Sequence, residues 1–398
     1  MVKSSAPLLR SLMRVGKKQQ RSAARLLTAL FAPPKPAPKA RAKPKPASTS
    51  APKSAQKSRP AATSAPKPAP KPRPAATAAS TPKPTPAPRA APAALLKDAP
   101  APGKWLTARY AGQSGQVLRP MSYWLYLPDG APPLSGWPLI VMLHGCEQSA
   151  TQFAQGTRMN QMAQKAGYAV LYPQQSLTAH PRRCWKWYDR ATQQGGGDVP
   201  VIVGMIGQVL AAYGLDRSRV FICGMSAGAG MANIVALNHP ELFAGLGLHS
   251  GPLYGAGHST VGALGVMQHG NGARVDSAIA EVLERRPDFP SMPTILIQGD
   301  DDRVVRPVNQ VHLRRQAMLL NDLPAATPVR VVHKAGGRSG LPHQLHDVYR
   351  GRKLMLRVAQ IAQLQHAWSG GDARLSFNSA AGPDASKMLV DFFGKHRR

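Results

Sequence analysis

The pentapeptide Gly224-Met225-Ser226-Ala227-Gly228 is the most informative stretch of the chain. A serine hydroxyl is a weak nucleophile until a neighbouring base takes its proton, and acyl-transfer enzymes supply that base by position. The GxSxG spacing serves this chemistry when a strand precedes it and a helix follows. The sharp turn then presents the serine at a helix N-terminus, where developing negative charge is favoured, and small flanking residues keep the turn open. Both conditions hold here, with the apolar run Val220 to Cys223 before the motif and a helical pattern from Gly228 to Leu237 after it. A flexible Gly-Ala turn would carry the same letters; the strand-to-helix setting favours Ser226 as a nucleophile.

Acyl transfer also needs donors for the oxyanion, a general base and an acid that orients the base. Upstream, the hydrophobic strand pattern Leu139 to Leu143 runs into His144-Gly145-Cys146. A hydrolase sheet places one oxyanion amide in the loop after such a strand and the other on the residue after the nucleophile. Here these are the backbone amides of Cys146 and Ala227. The acid and base are expected in the order Ser, Asp or Glu, His. Asp300, Asp301 and Asp302 follow the strand pattern Thr294 to Ile297, and Asp302 is selected because Val304 and Val305 can pack beneath the loop and turn it toward the sheet.

Six histidines follow it. His312 lies within a helix pattern and His396 in a basic terminal tail, while His333 closes a strand pattern ahead of a charged Gly-rich stretch. His343 and His346 have His-x-x-His spacing but no third ligand in register, so they read as exposed loop residues. His366, which opens the glycine-ended loop His-Ala-Trp-Ser-Gly-Gly, is the candidate base. Trp185, Trp187, Tyr188 and Trp368 either line an acyl groove or pack in the core. This chemistry requires no metal or organic cofactor.

The elements that must position these residues alternate. Strand patterns at Tyr123 to Leu127, Pro138 to Leu143, Ala169 to Tyr172, Val220 to Cys223, Gly245 to Leu248 and Thr294 to Ile297 are interleaved with helical ones. The latter are Arg158 to Ala166, Val199 to Tyr213, Gly228 to Leu237, Val308 to Leu320 and Asp384 to Phe393. Such alternation predicts an α/β domain over 104–398, with a mainly parallel sheet and helices on both faces. Residues 255–292 fit it least and read as an insertion over one end of the sheet.

Ahead of this domain the composition changes. Of 51 Lys and Arg and 19 Asp and Glu in 398 residues, residues 1–100 hold 21 bases and one acid, Asp98. Residues 33–103 repeat Pro-Lys-Pro and Ala-Pro-Lys units with no aromatic residue before Trp105, a composition that cannot bury a core and predicts a disordered, extended linker. Residues 1–32 read as a basic amphipathic helix, or as a secretory leader with Leu26 to Ala32 as its apolar run. A tail of this charge is suited to sequence-independent binding of nucleic acid, an anionic surface or a charged granule, or to service as a solubilising spacer. No run approaches the roughly 20 apolar residues of a transmembrane helix.

From about Trp105 onward the chain resembles the poly(3-hydroxybutyrate) depolymerase type of serine esterase, within the α/β-hydrolase superfamily. The resemblance is carried by Leu143-His144-Gly145-Cys146-Glu147-Gln148, Arg183-Cys184-Trp185-Lys186-Trp187-Tyr188, Gly224 to Gly228, Gly299 to Val305 and His366 to Gly371. It implies an α/β-hydrolase fold and a secreted or granule-associated hydrolase of polyester or other acyl esters, with Ser226, Asp302 and His366 as its triad. An extracellular location follows from the resemblance, with cytoplasmic or granule-associated alternatives. Feruloyl and acetylxylan esterases are similarly built, so the reaction is better defined than its substrate. Two positions depart from the pattern: Gln298 stands where the family has His, and Gln365 where Gly commonly precedes the base. Cys146 and Cys184 form a disulfide or remain free thiols.

Overall fold

The computed structural model describes residues 89–90, 101–112, 119–337 and 340–398, all within one compact unit. The helix expected over 1–32 lies outside the described residues, as does the 33–103 linker apart from 89–90 and 101–103.

Eleven strands form one sheet in the order β1-β2-β3-β5-β4-β6-β7-β8-β11-β10-β9. In chain order they are β1 (Arg89–Ala90), β2 (Lys104–Tyr110), β3 (Met121–Leu127), β4 (Leu139–Leu143), β5 (Ala169–Gln174), β6 (Val220–Met225), β7 (Gly245–His249), β8 (Thr294–Gly299), β9 (Val329–Lys334), β10 (His343–Arg350) and β11 (Lys353–Ile361). The strands β5, β4, β6, β7, β8 and β11 run parallel, while β1 to β3 at one edge and β10 and β9 at the other add antiparallel pairs. The parallel centre is apolar on both faces, as burial by helices on each side requires. Within β4, Leu139, Val141 and Leu143 join one core while Ile140 and Met142 join the other, the two-residue period of a strand.

Two layers of helices cover these faces. On the first lie α4 (Val199–Ala212), α5 (Ala227–Asn238), α6 (Thr260–His269), α7 (Val275–Arg285) and α8 (Val308–Leu320). On the second lie α1 (Ala150–Thr157), α2 (Met159–Ala166) and α9 (Ala385–Phe393), while Gln193 of the short α3 (Arg190–Gln193) donates to Trp187 O and Ala256 O at 3.1 Å each. The α/β reading and its five helices stand, each within about two residues of its expected bounds. The 255–292 segment folds as α6 and α7 and bonds to the loop after β8, with Arg306 N donating to Met267 O at 2.8 Å.

Two expectations are corrected. His343 and His346 lie on β10 rather than in an exposed loop, because β10 is hydrogen-bonded to both β9 and β11. Its partner β11 is itself mostly buried. His396 is buried, its ring 4.6 Å from that of Phe392 rather than in a solvated tail.

The strand-to-helix turn between β6 and α5 is closely packed against the end of β4. A Cβ on Gly228 would collide with the Leu143 carbonyl oxygen at the end of β4, and one on Gly224 would meet the Gly228 backbone. Neither neighbour is a flexible side chain, so a methyl group must displace strand or helix. We expect Gly228→Ala to lower the urea midpoint of unfolding, with a cost of at least about 1–3 kcal/mol. An unchanged midpoint would show that β4 and α5 separate freely.

Candidate active site

Ser226 stands between β6 and α5 with φ 57° and ψ −122°, a backbone conformation that side-chain-bearing residues rarely adopt. Its amide donates to the His249 carbonyl at 3.0 Å, and its own carbonyl accepts the first helical bond from Gly230 N at 3.0 Å. Ala227 opens the helix, so its N–H is one of the amides at a helix start that have no intrahelical acceptor.

Across the ends of β8 and β11, the Asp302 carboxylate is fully buried and accepts four hydrogen bonds. Oδ1 takes the amides of Val304 and Val305 at 2.9 and 3.0 Å; Oδ2 takes Gln298 Nε2 at 2.9 Å and His366 Nδ1 at 2.8 Å. The buried Val304 and Val305 hold this turn from below. Asp300 accepts from Gln363 N at 2.6 Å and Asp301 pairs with Arg303 at 3.0 Å, so of the three acids only Asp302 meets His366 among the described contacts. The structure thus brings Asp302 and His366 together, and Nδ1 bonding to the carboxylate leaves Nε2 as the basic nitrogen.

The loop after β4 is built by the two motifs 143–148 and 183–188, with Arg182 beside the second. Cys146 and Cys184 form a disulfide with Cα atoms 4.3 Å apart. Beside it, Glu147 and Arg182 form an ion pair, Glu147 N donates to Arg182 O at 2.7 Å, and Trp185 Nε1 donates to His144 O at 2.9 Å. Buried Gln148 accepts from Gly145 N at 2.9 Å. The loop also borders Ser226, since a Cβ on Gly145 would lie 3.5 Å from Ser226 Cβ.

His144 itself is buried. Its Nε2 accepts Gln175 N at 3.1 Å, which places the ring proton on Nδ1, 2.8 Å from Gly145 O. That carbonyl belongs to the same peptide unit as the Cys146 amide, and in a trans peptide the C=O and N–H bonds point in opposite directions. Of the four aromatic candidates, Trp185, Trp187 and Trp368 take the core alternative and only Tyr188 is partly exposed.

Two groups escaped the sequence reading. Gln298, which stands there only as a departure from the family pattern, bonds to Asp302 Oδ2 and to Val305 O at 2.9 Å each. His249, at the end of β7, stacks on Trp368 beside the His366 loop. The Ser-Asp-His order offered no signal for either, although a second polar residue at a buried strand end is one that could be sought.

Burial pushes the His144 pKa down to about 4 and the His249 pKa down to about 3. In the unfolded chain both would take a proton near pH 6.5. Between that pH and the folded values the unfolded state binds more protons, so stability is full above pH 6.5 and falls as the pH drops toward 4. At about 1.4 kcal/mol for each unit, the loss is on the order of a few kcal/mol per histidine. Urea midpoints measured from pH 7 to 4.5 should therefore decline, and a flat profile would contradict the buried neutral state of these rings.

The model of the esterase PHB depolymerase family matches residues 121–338. Poly(3-hydroxyalkanoate) depolymerase C of Paucimonas lemoignei is 31% identical over 237 residues, covering 58% of this chain and 54% of that protein. A probable acetylxylan esterase A of Aspergillus fumigatus is 33% identical over 139 residues, covering 34% of this chain and 36% of that protein. The chain thus spans between about a third and just over half the length of these curated relatives. The solved structure of an acetyl xylan esterase from Aspergillus awamori superposes with a TM-score of 0.57 at 18% identity, covering 72% of this chain and 98% of that one. That likeness shows the α/β-hydrolase fold.

Proposed function

The chain belongs to the esterase PHB depolymerase family, and from that premise we propose that it is a serine esterase acting through Ser226, His366 and Asp302 on short polyester or oligoester chains of the 3-hydroxyalkanoate kind. The observation that carries the reading is the 2.8 Å bond between His366 and the buried Asp302, in a fold whose nucleophile turn holds Ser226 at φ 57°. His366 Nε2 takes the Ser226 proton as Oγ attacks the ester carbonyl. Asp302 holds the imidazole by its Nδ1–H and stabilises the imidazolium. The amides of Cys146 and Ala227 receive the oxyanion, each donor being worth roughly 3–4 kcal/mol in comparable sites. The imidazolium then protonates the leaving alcohol. Water, deprotonated by the same histidine, hydrolyses the acyl-enzyme and regenerates Ser226.

Polyester is favoured over aryl or acetyl esters because the depolymerase relative aligns over 58% of the chain, against 34% for the acetylxylan esterase relative. Hydrolysis of p-nitrophenyl esters of graded length and of 3-hydroxybutyrate oligomers tests both reaction and substrate. Ser226→Ala should lose at least about 10⁴-fold in kcat with its fold intact. Equal activity in wild type and variant would refute the nucleophile, and turnover confined to acetyl or feruloyl esters would move the substrate to the second esterase type.

Residues 1–100, with 21 bases and one acid, are proposed to hold the enzyme on anionic surfaces or nucleic acid outside the cell or at a granule. Deleting them should leave turnover of a soluble ester within about twofold while abolishing salt-sensitive retention on heparin or DNA resin. Retention that survives the deletion, or persists at high salt, would assign the binding elsewhere.

A further inference from the structure

His249 is a second buried imidazole beside the Asp302–His366 pair, and it contacts both halves of the site. Parallel register puts it next to Met225 on β6 and Ile297 on β8, the strands that carry the nucleophile and the acid. Its carbonyl accepts the Ser226 amide at 3.0 Å. Its ring reaches the other way: Nε2 accepts the Ser369 amide at 3.3 Å, Nδ1 lies 3.1 Å from Ser250 Oγ, and the imidazole stacks on Trp368 with ring centroids 5.0 Å apart and planes at 21°. Trp368 and Ser369 are the second and third residues after His366.

Resting on the triad reading above, we infer that His249 is a positioning residue that fixes the His366 loop to the nucleophile strand, setting where the base stands relative to Ser226. The loop has other anchors. Trp368 Nε1 donates to Ser386 Oγ at 3.2 Å, Trp368 N to Phe377 O at 2.7 Å, and Ser369 Oγ to Pro383 O at 2.6 Å. These tie it to the C-terminal part of the chain, whereas His249 ties it to β7 and through the Ser226 amide to the nucleophile. The role needs an acceptor at the Nε2 position and therefore an uncharged ring with its proton on Nδ1. Burial, with the nearby His366 as a second cause, keeps the ring neutral, since its pKa falls to about 3.

The experiment compares His249→Phe, which keeps a flat ring against Trp368 but offers no acceptor, with His249→Gln, whose side-chain oxygen can reach the Nε2 position. His249→Asn, too short to reach Ser369, replaces the Phe variant if that does not fold. Steady-state hydrolysis of a p-nitrophenyl ester should show kcat down about 10- to 100-fold in the Phe or Asn variant, the scale expected for an ångström-level misplacement. KM should stay within about twofold, and the Gln variant should recover most of the loss. In parallel, proteins labelled with ¹⁵N-histidine report the His366 Nδ1–H resonance, assigned by its disappearance in His366→Ala. That signal should broaden or exchange faster in the Phe or Asn variant and sharpen again with Gln.

Unchanged kcat and an unchanged resonance would overturn the inference. So would a loss that follows a fall in melting temperature and is not recovered by Gln, since that marks a purely structural residue. If the wild type hydrolyses none of the esters, the triad reading fails on its own, and the resonance comparison still decides whether His249 holds the loop.

Discussion

A carboxylate withdrawn from water is tolerated only when its oxygens are hydrogen-bonded, and the geometry around Asp302 follows from that constraint. Two of its four donors are consecutive amides, Val304 and Val305, and both can reach one oxygen only if the chain turns back over the acid directly after β8. The third donor, Gln298, stands on β8 itself and also bonds to Val305 O, so one amide side chain braces strand and turn together. The fourth is His366, delivered from beyond β11, the next strand in the sheet. The order of β7, β8 and β11 is thus a requirement of the acid as much as of the core.

The same logic places the rest of the site at the carboxyl ends of the parallel strands, where open α/β sheets put their clefts. Leu143 on β4 pairs with Gly224 on β6, Met225 with His249 on β7, and His249 with Ile297 on β8. The Ser226 turn, the His144–Cys146 loop and the Asp302 turn therefore leave the sheet side by side. What remains is to hold irregular backbone still. A disulfide, an ion pair and the Trp185 indole do this for the β4 loop, and the His366 loop rests on His249 through the stack on Trp368 and the Ser369 amide bond.

Much of this was legible because the chemistry demands fixed residue types in a fixed order. The turn at Ser226 was readable from its strand-to-helix setting and small flanking residues, and the inward turn of Asp302 from the two valines that follow it. What escaped was information that exists only across strands. His-Gln-Leu-His-Asp-Val-Tyr-Arg over β10 shows no clean alternation, because Asp347 on it is buried against Arg357 of β11 at 2.6 Å and a polar residue fills an inward position. In α1, the box formed by Ser149 and Gln152 was a usable helix-start signal that the periodicity did not bring forward. The tryptophans read equally well as groove or core, since composition does not say which face of a loop is covered.

Three histidines near the site differ in environment rather than in kind. His366 has a carboxylate on one nitrogen, so an imidazolium formed there has its counterion in place. His144 and His249 each accept a backbone N–H, and a protonated ring could not, so burial holds them neutral at some expense in stability toward acid. For His249 the neutral state has a second consequence. In the proposed mechanism, a cation there would oppose the charge that His366 acquires as Ser226 attacks, and in a low-dielectric site that repulsion is strong. On that proposal, the burial that makes His249 an acceptor for the Ser369 amide also leaves the Asp302 charge available to stabilise His366 without competition from its neighbour.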